Sequence, residues 1–88
     1  MNEEIRNFAD GILTAIGQTL ITDVEAEALP AVNDEILIYQ AVAKIINDRG
    51  LPDNGIEKLN AYATLQGVDY QAERKVSNNI FIGASLED

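Results

Sequence analysis

The sequence predicts an all-α fold, a compact bundle of four to five short helices. Three observations carry this. Residues Asp34–Arg49 are apolar around most of a helical circumference. Residues Asn2–Ile21 repeat apolar side chains at three- and four-residue steps. Glycines at 50 and 67, each followed by an apolar residue, sit where helices stop.

Asp34–Arg49 is expected to be the central helix. Its polar residues Gln40, Lys44, Asn47 and Asp48 share one narrow stripe, which leaves two sides for other elements to cover. Asn33 or Asp34 can accept first-turn N–H groups, Glu35 suits the positive end of the helix dipole, and Gly50-Leu51-Pro52 reads as a Schellman-type stop. The competing reading is α+β, with β-prone 35–39 pairing with 80–82 in a small sheet.

In the N-terminal helix Ile5, Phe8, Ala9, Ile12, Leu13, Ile16 and Leu20 form the buried face, and Gly11 and Gly17 suggest close approach of another backbone. Thr22 with Glu25 has capping-box spacing and opens a short helix, Asp23–Leu29, which Pro30 ends. Asn54 with Glu57 repeats that spacing at the head of a Gly55–Gln66 helix, where Ile56, Leu59 and Ala63 make one face with Tyr62 and Leu65 beside it. A weaker helix is expected over Asp69–Asn78. The chain reads as one domain, 1–88, with 79–88 as a possible C-terminal arm carrying the apolar run Ile80, Phe81 and Ile82.

Composition excludes much chemistry. There is no Cys, so no disulfide, thiolate metal site or Cys nucleophile. There is also no His, the commonest general base near neutral pH and the commonest transition-metal ligand. Ser77 and Ser85 therefore lack a base, and the paired acids Glu3-Glu4 and Asp34-Glu35 diverge by about 100° on a helix. Aligning Asp53-Asn54-Gly55 with a calcium loop puts Pro52 and Ala61 where carboxylates are required. No catalytic, cofactor-binding or metal-ligating residue is assigned, and a minimal enzyme is the weakest of the functional readings.

The net charge of −9 is concentrated in residues 1–35, where eight acids face Arg6 alone. Such a field repels nucleic acid and anionic lipid and speeds encounter with a basic protein. Ala63 to Val68 has the spacing of a helix-turn-helix turn, but Arg74 and Lys75 alone do not make a phosphate footprint. The first residues, Asn-Glu-Glu, lack the basic start of a secretory leader, and no apolar run approaches the length of a membrane span, so a soluble cytoplasmic protein is expected.

The leading expectation is a small acidic binding protein, an inhibitor or adaptor. Its surface of Asp23, Glu25, Glu27, Asp34 and Glu35 would engage a basic site on a larger macromolecule. The alternative is a structural subunit of a homo-oligomer or virion-like particle that uses Ile80, Phe81 and Ile82 as an arm on its neighbour.

Overall fold

The computed structural model describes residues 2–50 and 54–73. Among them are four helices: α1 (Glu3–Ala15), α2 (Asp23–Ala26), α3 (Glu35–Arg49) and α4 (Gly55–Leu65).

Helix α3 is the hub, packed on α1 and α4, which also touch each other. Ile38, Tyr39, Ala41, Val42, Ala43, Ile45 and Ile46 are buried, while Gln40, Lys44 and Asp48 are exposed and Asn47 is half-buried, as the polar stripe requires. The Asp34 side chain accepts the Leu37 N–H at 3.2 Å, and Gly50 closes the helix in the left-handed conformation. Residues 35–39 are thus the first turn of a capped helix, not a strand, which removes one half of the α+β alternative. The other half, 80–82, lies outside the described residues, as does the expected 79–88 arm.

Helix α1 begins at Asn2, whose side chain accepts the Glu4 N–H at 2.8 Å, and buries Ile5, Ala9, Ile12 and Leu13. Phe8 meets the Tyr39 ring edge-on, with centroids 6.3 Å apart. The helix stops at Ala15 instead of running on to Ile21. Gly17 adopts φ +77°, a conformation that costs other L residues about 1–2 kcal/mol. The Gln18 N–H then donates to Leu13 O at 2.8 Å and the Gly17 N–H to Thr14 O at 3.1 Å, a complete Schellman motif. Ile21 still reaches the core, from a segment outside any helix, whereas Leu20 is exposed. Gly11 marks no close approach, because a Cβ there would meet nothing within 4 Å.

Helix α2 has the expected capping box. Thr22 Oγ1 accepts the Glu25 N–H at 3.1 Å, and the Thr22 N–H donates to Glu25 Oε1 at 3.0 Å. It is a single turn, shorter than Asp23–Leu29. From Glu27 to Leu29 each N–H bonds three residues back, a tighter winding that leads into Pro30.

Helix α4 buries Gly55, Ile56, Leu59 and Ala63 but leaves Leu65 77% exposed. Asn54 makes no side-chain capping bond, so the second capping box does not form; its carbonyl accepts the Lys58 N–H instead. The helix ends as α1 does: Gly67 has φ +77°, its N–H donates to Thr64 O at 3.0 Å, and the Val68 N–H donates to Ala63 O at 2.8 Å.

Beyond it the helix expected from Asp69 is absent over 69–73, and 74–78 lie outside the described residues. Asn60 is the reason. Its side-chain amide accepts the Ala72 N–H at 2.7 Å and donates to Ala72 O at 2.9 Å, tying both backbone groups of Ala72 to α4. The helix-turn-helix reading loses its second helix over these residues.

Candidate interaction surface

The five acids singled out in the sequence fall into three environments. Asp23 is 94% exposed at its side chain but pairs with Arg6, Nη1 to Oδ1 at 3.0 Å. The same guanidinium donates to Ile21 O at 3.0 Å, so Arg6 ties α1 to the segment entering α2.

Glu25 belongs to the structure and not to an open acidic face. Arg49, in the last turn of α3, grips it with both fork positions, Nη2 to Oε1 at 2.7 Å and Nε to Oε2 at 2.8 Å. The side chains are only 11% and 22% exposed. Arg49 also donates to Thr19 O and Leu20 O, each at 3.1 Å. The Arg49 hydrogen bonds hold the Glu25 carboxyl down to about 2 against the opposing pull of burial, and Glu25 in turn raises Arg49. The capping box made Glu25 legible as a local cap. Its partner lies 24 residues away and left no local signal.

Glu27, Asp34 and Glu35 are exposed and pair with no cation among the described residues. Asp34 serves as the α3 cap, and Glu35 stands beside it in the first turn. Of the described cations, Arg6, Lys44 and Arg49 are engaged by Asp23, Asp48 and Glu25.

Next to these acids lies a feature the sequence did not announce. The first turn of α1 and the winding that ends at Pro30 leave a cleft of about 440 Å³ between them. Ile5, Ala26, Leu29, Pro30 and Ala31 give it apolar walls, and Asn2 and Glu27 supply its polar groups. Glu3 and Glu4 sit between Asn2 and Ile5 in the chain. Asp34 and Glu35 follow Ala31 by three and four residues, within roughly 10–14 Å of it at full extension. Only the proline hinted at this hollow, because its two walls come from segments far apart in sequence.

Among the described residues no group of three acids could hold a metal ion. The Tyr39 phenol is pushed up to about 12, first by burial and then by Tyr62 and Glu35, and stays protonated at neutral pH. No helix among the described residues is long and apolar enough to cross a membrane. Ile80, Phe81 and Ile82 lie outside the described residues. In comparisons with known proteins, no family model matches this chain, and no curated protein or solved structure matches it.

Proposed function

We propose that this chain is a small, non-catalytic acidic binding protein, an inhibitor or adaptor that engages a basic surface on a larger protein. The observation that carries the reading is the division of charge. Three of the four described cations, Arg6, Lys44 and Arg49, are taken up in ion pairs and the fourth, Lys58, stands exposed on α4, while Glu27, Asp34 and Glu35 stay exposed and unneutralised around the turn between α2 and α3. Unpaired charge of one sign steers a partner of the opposite sign and sets its orientation.

The test compares two double variants of equal net charge against a lysine-rich peptide, at about 0.02 M and 0.3 M salt. Glu27→Lys with Glu35→Lys removes the proposed surface, and Asp69→Lys with Glu73→Lys changes the same charge elsewhere. Binding at low salt should fall about tenfold or more for the first and much less for the second. Equal losses would reduce the acids to a solubility device. Glu25 is left alone in this test because its replacement would break the Arg49 grip.

A second reading, a subunit of a homo-oligomer, draws on exposed apolar side chains, notably Val24, Val32 and Leu65. Light scattering over a range of concentration and salt separates the two: a monomer throughout supports the binder, and an oligomer that survives high salt supports the subunit.

A further inference from the structure

We propose that the cleft between the first turn of α1 and residues 26–31 receives an apolar side chain of a basic, amphipathic protein segment, whose cations lie against the acids around the cleft. This deepens the reading of an acidic binder and rests on it.

At about 440 Å³ the cleft falls at the lower end of the roughly 300–1,000 Å³ typical of small-ligand sites, room for one large side chain or two smaller ones. Its walls are mostly aliphatic, and Glu27 is the acid among them. The remaining acids are neighbours of the lining in the chain: Glu3 and Glu4 lie between Asn2 and Ile5 in the first turn of α1, and Asp34 and Glu35 open α3 three and four residues after Ala31. The complement of an apolar centre with an acidic surround is a segment with an apolar centre and a basic surround. A helix lying in a groove presents that pattern through residues at three- and four-residue steps.

Other occupants fit less well. A free anion meets Glu27 in the wall. A small quaternary ammonium would find no aromatic ring among the lining residues to face it. A wholly polar polycation would leave the aliphatic walls in water, with no gain from burying them.

The test uses the full chain and two fluorescein-labelled synthetic peptides of about 14 residues, long enough for four helical turns. One has leucine and lysine at helical spacing; the other keeps every lysine and carries serine in place of leucine. Anisotropy at low salt should show the leucine peptide binding about tenfold more tightly. Ala31→Trp, at an exposed position on the cleft edge, should abolish that difference and leave the serine peptide unaffected. As a check that needs no variant, the leucine peptide should shift the amide resonances of Ile5, Leu29 and Ala31 in ¹⁵N-labelled protein, and the serine peptide should not.

Equal binding of the two peptides would overturn the cleft and leave the acidic surface standing. A leucine preference that survives Ala31→Trp, with no shifts at the cleft amides, would also overturn it and place the apolar contact elsewhere. Binding of neither peptide would sink the acidic-binder reading and the cleft together.

Discussion

Two segments of this chain leave their helices by the same turn and are then held down by different chemistry. After Gly17 and after Gly67 the backbone leaves the helix, and no strand among the described residues pairs with it, so many of its peptide groups find side-chain partners. In the first segment the partners are ionic: Asp10 accepts the Ile21 N–H at 2.8 Å, Arg6 donates to Ile21 O, and Arg49 donates to Thr19 O and Leu20 O. In the second they are amides: Asn60 takes both groups of Ala72, and Asn47 donates to Glu73 O at 3.2 Å. Gln71 adds a bond to Thr64 Oγ1 at 3.2 Å. Charged partners bind more strongly, and one of them, Arg49, is itself held by a carboxylate, Glu25, that acid can protonate; amides are weaker and indifferent to pH. The ionic segment leads into α2 and the cleft, so the placement of the proposed binding surface depends in part on the Glu25 carboxylate, which acid can discharge.

The sharpest way to break this contrast is Arg49→Met. It leaves the half-buried Glu25 without its guanidinium and strips the donors from two carbonyls, and should cost about 3 kcal/mol in urea unfolding. A loss no larger than that of Asn60→Ala would mean that the ionic segment is not the stronger one.

Next in size is acid. Glu25 is held from 4.5 down to about 2 in the fold, so its contribution is complete above the unfolded value of 4.5 and disappears as pH falls through about 2. Roughly 2 kcal/mol should be lost across that window, between the small worth of an exposed pair and that of a fully buried one. Glu25→Gln should flatten this part of the pH profile; an unchanged slope would assign the acid response to other carboxyls.

Asn60→Ala should cost about 1–2 kcal/mol and leave the acid slope as in the parent. Asn60→Asp sharpens the point, because a carboxylate facing Ala72 O loses the donor and repels the carbonyl. Its defect should shrink at low pH, where the protonated acid can donate again.

The smallest effects concern the turns. Gly17→Ala and Gly67→Ala should each destabilise by about 1 kcal/mol, whereas Gly11→Ala should stabilise by about 0.5–1 kcal/mol, since it removes a helix-interior glycine and fills open space. Thermal midpoints of the three variants check the signs directly.

What was legible in the sequence was whatever is encoded within a turn or two. The central helix was read correctly because its polar stripe and both end signals agree over residues 34–50. The Thr22–Glu25 box was readable for the same reason. The error at α1 came from trusting apolar spacing past Gly17, although Leu13-Thr14 to Gly17 has the same layout as Ala63-Thr64 to Gly67, where the stop was recognised. The missing helix at 69–73 and the lost freedom of Glu25 have a different origin. Both depend on a side chain elsewhere in the fold, Asn60 in one case and Arg49 in the other, and no local pattern announces such a partner. The cleft was hidden on the same ground.

The two peptide groups held by side chains also give each segment its own clock. The Ile21 N–H, bound to a carboxylate, and the Ala72 N–H, bound to an amide, lie outside every helix and would ordinarily exchange with solvent deuterium as quickly as any loop proton. Each should instead be protected, and each should lose its proton at the rate at which its own segment opens. Where the ionic segment loosens in acid, the Ile21 signal should gain exchange relative to Ala72, so that two protons suffice to tell which end of the molecule is coming undone first.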